Sequence, residues 1–528
     1  MIATLQILLL LLAVLVAVAI VARRLNVAPS ILLVVAGIGL ALIPGFPSIE
    51  LAPELVLLLI LPPLIYSAGV AMSWREFRFN LRPIFLLAFG CVVFTTCAVA
   101  VAAHYLIGLP WALGFLLGAI VAPPDVVAPL AVARRLRLPR RLLLVLEGEG
   151  LANDATALIL YRFAVAAVAT GTFSFGQAAG TFAAIVGGEI VWGLVVGWVS
   201  LHVRRWARDP RMEITLSLMT PYLAYWVPEH FGGSGVLAAV AAGLYVSWKG
   251  PLLIPSATRL QGIFFWDLII YLIEGFVFLI VGLQARTLLG RIEAYSLSDL
   301  MAAVALTTAI VIAARFVWVF PTVYLPRLLN PSLAKRDPAP PWQWAFLIGF
   351  VGIRGVVSLA AALAIPLLTA GGQAFPYRDL ILFVTFGVIV ITLVAQGLML
   401  PTVILWLGLA KDANIERCHE HEAELAARQE AIAVGHRRLE QLLANRQFPD
   451  EVIHLLRVRY DHRMSQLVGD ELREMVAEVK LELLQVEREF LFDLLRAGRI
   501  TDEARRRLER ELDLEEAAII SRRGALPL

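Results

Sequence analysis

The sequence predicts an all-α, polytopic membrane protein of about thirteen transmembrane helices, followed by a charge-rich helical tail. Of its 528 residues, 59% are hydrophobic and 16% are charged, whereas soluble chains carry about 25% charged residues. Charge is concentrated at the end, because 45 of the 118 residues from 411 to 528 are Asp, Glu, Lys or Arg, against 42 of the first 410. We therefore expect a transmembrane domain over 1–410, embedded in a lipid bilayer, and a separate polar domain over 411–528.

The predicted helices correspond to apolar runs long enough to cross the hydrocarbon core, which takes about 20 residues. The first run has no basic segment before it and no small-residue cleavage site, so we expect a retained span and not a signal peptide. The least distinct pair of apolar runs, 213–228 and 232–248, is separated only by Glu229–Phe231. The thirteen runs are 3–22, 29–44, 52–72, 83–106, 111–133, 142–169, 178–203, 213–228, 232–248, 260–284, 299–326, 342–370 and 379–408.

Loop charges predict the orientation of these spans. If the N-terminus is outside the cell, nineteen Lys and Arg residues fall in cytoplasmic loops and three in outer loops. Basic residues mark the cytoplasmic side, so we expect a multi-pass protein of the inner (plasma) membrane with a cytoplasmic tail. The net charge of +3 is spread over short loops and forms no basic patch that would indicate nucleic acid.

The stretch Glu147-Gly-Glu-Gly-Leu-Ala-Asn-Asp154 places three carboxylates inside the run 142–169. Ionisable residues within a membrane are costly and usually face a partner or a water-filled cavity, so each is a functional hypothesis. Asp154 lies thirteen residues after Arg141, roughly 20 Å along the helix and near the middle of a ~30 Å core. Glu147 is about two turns from Arg141, so a polar helix start explains it equally well.

Two other runs are interrupted at membrane depth. Three prolines in Ala122-Pro-Pro-Asp-Val-Val-Ala-Pro129 remove backbone donors and disfavour helix. A second interruption is predicted in the other half of the chain, at Gly352-Ile-Arg-Gly-Val-Val-Ser358, where two glycines lie on either side of Arg354. Interrupted helices in corresponding positions of two halves indicate the substrate site of a transporter. Arg354, roughly 18 Å deep, needs an acidic partner, whereas we expect Arg162 and Arg315 near the membrane surfaces.

These motifs resemble the first monovalent cation/proton antiporter family, which includes NhaP-type and NHE-type exchangers. The similarity covers roughly 1–410 and rests on Gly-Glu-x-x-x-Asn-Asp in the sixth run, Pro-x-Asp in the fifth and Gly-x-Arg-Gly in the twelfth. It implies a homodimer with an inverted-repeat fold, in which the fifth and twelfth spans cross where they are unwound. The implied activity is exchange of a monovalent cation, Na⁺ first, for protons by alternating access, without a cofactor.

The resemblance also implies roles for particular residues. Asp154 would bind either a proton or the cation, with Asp125 beside it. Asn153 matches an Asn-Asp pair that is associated with electroneutral, one-for-one exchange. Glu149 and Arg354 match a buried ion pair that holds the core together. Helix geometry agrees in that Glu149 and Asn153, four residues apart, share a face, while Asp154 is turned away by about 100°.

Three oxygen donors of the family are altered in this chain. Pro124 stands where relatives usually carry Thr, Gly150 replaces a Ser, and Ser67 replaces an acid used by some members. Ser67, Ser358 or water could supply the missing oxygens, so the sequence leaves K⁺ and Li⁺ open beside Na⁺. Glu274 is a further acid within a span, which we expect to line the cavity or to serve the structure.

Other functions stay open as alternatives. A cation channel could use the same acid-lined cavity and would carry current, and an antiporter-like sensor would carry no flux. An intramembrane hydrolase is disfavoured because the sequence has neither H-E-x-x-H nor G-x-S-x-G, and its eight histidines lie mostly in the tail or at the ends of runs. We therefore expect a transporter and no enzyme, with no catalytic residue.

The tail is expected to form amphipathic helices. Several apolar residues recur at three- and four-residue steps, which puts them on one helix face; they are Leu483, Val486, Phe490 and Leu494. A charge-laced helical domain of this kind is usually solvated or a dimer contact. Regulation of transport is the alternative.

Overall fold

A computed structural model confirms the predicted all-α fold. It describes residues 2–44, 46, 52–136, 138–171, 174–207, 209–292, 295–369, 373–445, 449, 453–458, 470–497, 499 and 502–523. Within those residues, β-structure is limited to an isolated bridge between Leu368 and Ala374. The chain divides into two compact units, Met1–Ala410 and Lys411–Leu528.

The N-terminal part of the membrane unit contains short helices joined by π-helical turns and one long helix, α9. The helices are α1 Ile2–Leu25, α2 Pro29–Ala41, α3 Leu61–Ala71, α4 Trp74–Phe79, α5 Leu81–Phe85, α6 Val92–Ala102, α7 Trp111–Val121, α8 Val127–Arg135 and α9 Arg140–Thr170. The π-helical turns are Leu55–Ile60 before α3, Leu86–Cys91 between α5 and α6, and Ala103–Ile107 after α6.

The C-terminal part of this unit consists mostly of longer helices. They are α10 Phe175–Ala207, α11 Pro210–His230, α12 Val236–Leu253, α13 Ser256–Leu289, α14 Leu297–Leu329, α15 Pro331–Arg336, α16 Trp342–Phe350, α17 Val356–Leu363, α18 Arg378–Ile391 and α19 Gly397–Trp406. A further π-helical turn, Thr392–Gln396, joins α18 to α19. Helix α11 begins earlier than the apolar run predicts, because the Asp209 side chain accepts the Arg211 N–H at 2.8 Å and caps it.

The membrane unit crosses the bilayer several times. In the described part of the chain, eight helical segments are long and apolar enough to span a membrane: Leu5–Leu25, Leu81–Ile107, Arg140–Thr170, Phe175–Ala207, Val236–Leu253, Ser256–Leu289, Leu297–Leu329 and Arg378–Trp406. Shorter apolar helices lie at Pro29–Ala41, Leu55–Ala71 and Trp111–Val121. Each of the thirteen predicted runs contains a helix or an interrupted pair of helices. The protein is therefore a multi-pass membrane protein.

The second unit contains α20 Leu409–Asn445, which begins at the boundary, α21 Asp470–Arg496 and α22 Asp502–Arg523. Helices α21 and α22 pack together, with Leu484 and Ile519 buried. Most of the apolar series predicted from the sequence is not packed against α22. Three of its four members are more than half exposed; they are Leu483, Val486 and Phe490. The helix is thus amphipathic as expected, but this series is not the face that packs on α22.

Candidate functional site

The fifth span is interrupted between α7 and α8. Helix α7 ends at Val121, and the two prolines that follow cannot donate backbone hydrogen bonds. Asp125 lies at the start of α8, where its Oδ1 accepts the Val127 N–H at 2.9 Å. A carboxylate is favourable at this position because the free N–H groups of a helix N-terminus carry partial positive charge.

The twelfth span is interrupted between α16 and α17. Val351, at φ −74° and ψ 70°, forms an inverse γ-turn in which the Gly352 N–H donates to the Phe350 carbonyl at 2.8 Å. The backbone is extended at Gly355, and α17 begins with the next residue. The break therefore leaves backbone groups of 353–355 to be satisfied by other elements.

The two interruptions touch each other. The Asp125 N–H donates to the Ile353 carbonyl at 2.7 Å, and a Cβ at Gly355 would overlap the Asp125 carboxylate. Glycine at position 355 is thus required by close approach. The contact brings Asp125 from the start of α8 to the start of α17, so the structure joins the two motifs that the sequence places about 230 residues apart.

Arg354 is buried and binds backbone carbonyls. Its Nε donates to the Val121 carbonyl at 2.7 Å and its Nη2 to the Ala122 carbonyl at 3.1 Å. Its Nη1 donates to the carbonyl of Gly352. The first two acceptors lie at the C-terminal end of α7, which carries partial negative charge. Arg354 therefore ties the twelfth span to the broken end of the fifth.

The expected Glu149–Arg354 ion pair is wrong, because Glu149 pairs with Arg315. The Arg315 guanidinium donates to both Glu149 oxygens at 2.5 and 2.8 Å, and to the Ile348 carbonyl at 2.8 Å. The Glu149 and Arg315 side chains are 0% and 1% exposed, so Arg315 is buried inside the protein and does not snorkel to a membrane surface. The sequence already indicates an interior position, because Arg315 lies sixteen residues into the run 299–326, which is about 24 Å along a helix.

Asp154 lies next to Asn153 on the long helix α9. The Asn153 amide donates to the Pro124 carbonyl at 2.6 Å, and its Oδ1 accepts the Asp154 N–H at 2.7 Å. Asp154 and Asp125 are half-buried, and Asp125 lies within electrostatic reach of Asp154. In the part of the chain that the structure describes, no Lys, Arg or His forms an ion pair with either carboxylate. The result is an unneutralised pair of carboxylates at the contact of the two breaks.

The structure also describes the surroundings of the other predicted residues. Ser67 donates to the Leu64 carbonyl of its own helix at 3.0 Å, so its hydroxyl has a partner already. Ser358 is buried on α17, three residues after Gly355. Glu274 is half-buried, with Asp125 and Arg134 as its charged neighbours.

Two further acid–base pairs lie outside this centre. Glu147 accepts a hydrogen bond from Arg134 at 2.7 Å with the arginine largely exposed, as a position near the membrane surface would give. Arg162 pairs with Glu229 at 3.0 Å, both about one-third exposed. Among the described residues, no group of three or more His, Cys, Asp or Glu side chains could hold a metal ion.

Comparison with known proteins decides the family. A family model described as "Sodium/hydrogen exchanger, transmembrane" matches residues 9–406. The chain belongs to this family. The chain is 36% identical over 516 residues to an uncharacterised Na⁺/H⁺ exchanger of Mycobacterium bovis, covering 94% of this chain and 93% of that one. It is 34% identical over 384 residues to a sodium, potassium, lithium and rubidium/H⁺ antiporter of Bacillus pumilus, covering 70% and 57% of the two chains.

A solved structure of another protein has a similar fold. The sodium proton antiporter MjNhaP1 from Methanocaldococcus jannaschii matches with a TM-score of 0.59 and 19% identity, over 77% of this chain and 99% of that one. The family predicted from the motifs is confirmed. The relatives are transporters and not enzymes.

Proposed function

We propose that this exchanger moves one monovalent cation against one proton by alternating access, with Asp154 binding either in turn. Na⁺ is the first candidate, and K⁺ and Li⁺ are the others. The observation that carries the proposal is the unneutralised pair Asp125 and Asp154 at the contact of two interrupted helices. Interrupted helices at membrane depth present charged ends and free backbone groups to ions.

The balance of charge supports electroneutral exchange. Glu149 is already neutralised by Arg315, and Asp154 carries one negative charge when it is ionised. One proton or one monovalent cation on Asp154 cancels the same single charge, and the charges of the nearby Asp125 and Glu274 are the same in both cases. The loaded site then has the same charge in both half-cycles, so a one-for-one exchange moves no net charge across the membrane.

Asn153 supports the same stoichiometry. An amide at this position adds no charge, and it uses its donor on the Pro124 carbonyl and its acceptor on the Asp154 N–H. A carboxylate here would lack the donor that Pro124 requires and would add a second negative charge beside Asp154. The side chain therefore connects the fifth span to the sixth without competing for the cation.

Weak discrimination among monovalent cations is the second part of the proposal. Pro124 has no hydroxyl, and its carbonyl is occupied by Asn153. A cation with few fixed protein oxygens keeps part of its water shell, which reduces the selection by size that a close-fitting oxygen cage provides. The Bacillus pumilus relative named for four cations makes Na⁺, K⁺ and Li⁺ the set to test.

The orientation and assembly follow from the loop charges and from the family resemblance. We propose that the N-terminus is outside, that 411–528 is cytoplasmic, that the protein resides in the inner (plasma) membrane, and that it is a homodimer. Basic residues concentrate in the loops that this orientation places in the cytoplasm. In this setting the exchanger would contribute to pH homeostasis.

The test is flux through purified protein in liposomes that carry an internal pH dye. With an acid lumen, external Na⁺, K⁺ or Li⁺ should alkalinise the lumen, and clamping the voltage with valinomycin should not change the rate. Asp154→Asn should abolish the response. Glu147→Gln is the matched control, because Glu147 lies on the same helix and face but near its exposed end.

The outcomes separate the alternatives. Full exchange in Asp154→Asn would contradict the assignment of the binding carboxylate. A rate that grows when the voltage is clamped would indicate charge-moving exchange or a channel. Absence of flux for every cation in folded protein would favour a sensor.

A further inference from the structure

The π-helical turn between α18 and α19 lies against the break in the twelfth span. Thr392, its first residue, is 0% exposed. Its hydroxyl donates to the Val388 carbonyl at 2.8 Å and accepts the Arg354 N–H at 3.0 Å. Single π-turns inside helices often occur at functional sites. The second contact is specific to this place, because a threonine in a regular helix usually bonds only to its own preceding turn.

The Arg354 N–H needs this acceptor because its own span is not helical there. In the non-helical segment 351–355, the Arg354 N–H cannot reach the carbonyl four residues earlier that would accept it in an α-helix. A buried N–H without an acceptor is costly. The neighbouring Ile353 carbonyl accepts the Asp125 N–H at 2.7 Å. The path from the Thr392 hydroxyl to Asp125 is therefore two hydrogen bonds joined by one peptide unit.

A second side chain of the same turn reaches the other end of the break. The Gln396 amide nitrogen lies 3.4 Å from the Phe350 carbonyl, a long and weak hydrogen bond. Phe350 is the last residue of α16, and its carbonyl also accepts the Gly352 N–H. The π-helical turn thus contacts Arg354 within the non-helical segment and Phe350 just before it, and Thr392 makes the shorter hydrogen bond.

We propose that Thr392 is a positioning residue for cation binding, which fixes the backbone of the twelfth-span break and through it the place of Asp125. The inference rests on the proposed function, since it takes Asp125 to be part of the cation site. Removing the hydroxyl would leave the Arg354 N–H unpaired, and the backbone at Ile353 and Gly355 would move relative to the Asp125 carboxylate.

The experiment compares Thr392→Val with Thr392→Ser. Valine has nearly the shape of threonine without the hydroxyl, and serine keeps the hydroxyl. The readouts are the apparent KM for Na⁺ and the pH profile of exchange in liposomes. Thr385→Val is the matched control, because Thr385 lies on α18, is 0% exposed and has a hydroxyl that finds no partner in the described part of the chain.

We expect Thr392→Val to raise the apparent KM about tenfold, the change that follows from the loss of one buried hydrogen bond. Thr392→Ser should stay near the wild-type value, and Thr385→Val should leave both readouts unchanged. If Thr392→Val does not fold, Thr392→Cys is used in its place, because a cysteine thiol is only a weak hydrogen-bond acceptor. Thr392→Cys should then have a higher apparent KM for Na⁺ than Thr392→Ser.

Two results would overturn the inference: a wild-type KM and pH profile in Thr392→Val or in its cysteine replacement, or an equal defect in Thr392→Ser. Asp154→Asn in the same assay separates this failure from that of the proposed function. If Asp154→Asn is inactive while Thr392→Val is normal, only the role of Thr392 is wrong. If Asp154→Asn still exchanges, the site itself is misassigned.

Discussion

Glu149, Asp154 and Asp125 are three carboxylates in one region, but among the residues that the structure describes only Glu149 has a guanidinium partner. Its bidentate pair with Arg315 is buried on both sides and holds α9 against α14. Arg354 instead neutralises the carbonyl end of α7. Both buried arginines therefore bind structural partners, and the carboxylates of Asp125 and Asp154 are left to bind the transported ion.

Glu149→Gln should destabilise the protein by about 3–5 kcal/mol, because it leaves the Arg315 charge buried without a partner. Asp154→Asn removes an unpaired charge and should not lower stability. Thermal unfolding of the purified variants would measure the difference. The double variant Glu149→Leu/Arg315→Met should recover much of the loss, since replacing both partners by apolar groups is often neutral. Equal stability of Glu149→Gln and Asp154→Asn would contradict this account.

Sequence reasoning at this scale identified Asp154 and Arg354 as charged residues deep in the membrane, but it did not predict that Arg315 is buried or how the charged residues pair. Depth along a helix follows from counting residues, and it placed Asp154 and Arg354 in the membrane interior. Partners depend on which helix faces which, and this information is not in the spacing along one chain. The family resemblance implied that Arg354 pairs with Glu149, whereas Arg315 in another span binds Glu149. Nothing in the sequence marked Thr392 as a functional residue, because threonines whose hydroxyl bonds within their own helix are common.

Among the elements, the interruptions were the most predictable feature. Prolines in the fifth span and glycines in the twelfth mark them by backbone chemistry alone. The family resemblance implied that the two spans cross where they are unwound, but it did not give the contact between Asp125 and Gly355, which depends on the exact position of the crossing. The π-helical turn Thr392–Gln396 was also not predictable, because no proline or glycine marks it within the apolar run.

Close packing of α2 on α13 gives a second test. A Cβ at Gly37 would lie 2.9 Å from the Gly282 Cα and 3.1 Å from the Leu283 nitrogen, whereas a Cβ at Gly39 would meet nothing within 4 Å. Gly37→Ala should therefore cost about 1–3 kcal/mol by overpacking, and Gly39→Ala should be neutral or slightly stabilising. Thermal unfolding of the two variants measures this. A Gly37→Ala variant as stable as Gly39→Ala would show that the helices do not pack so closely.

Asp337 joins two helix ends outside the membrane-spanning segments. It accepts hydrogen bonds from Arg141 at the start of α9 at 2.7 Å and from Arg327 at the end of α14 at 2.6 Å. Burial alone raises the pKa of Asp337, but the hydrogen bonds and charges of Arg141 and Arg327 outweigh burial and hold that pKa below its ordinary value.

The lowered pKa predicts how the stabilisation depends on pH. A carboxyl with a depressed pKa stabilises the fold above its unfolded value of about 3.9 and loses this contribution as the pH falls through the folded value. Asp337→Asn should therefore lower Tm by the same amount from pH 8 to pH 5, and the difference should shrink only below about pH 4. A difference that disappears between pH 7 and pH 6 would contradict the assignment.

For the whole molecule, composition and hydropathy predicted the class, and the motifs predicted the family that the comparison confirms. The membrane unit could be predicted because the bilayer sets the length and polarity of each helix. The tail was less predictable, since an amphipathic pattern gives the helix but not the element that it packs on. Leu483, Val486 and Phe490 illustrate this, because they lie away from α22.

The central claim is that one cation and one proton compete for Asp154. The most direct measurement is the number of protons released when Na⁺ binds to the purified protein in weakly buffered detergent solution, followed with a pH indicator while binding is titrated calorimetrically. The account predicts about one proton released per Na⁺ bound near the pH at which Asp154 is protonated, and neither binding nor release in Asp154→Asn. Na⁺ binding without proton release, or release that persists in Asp154→Asn, would contradict it.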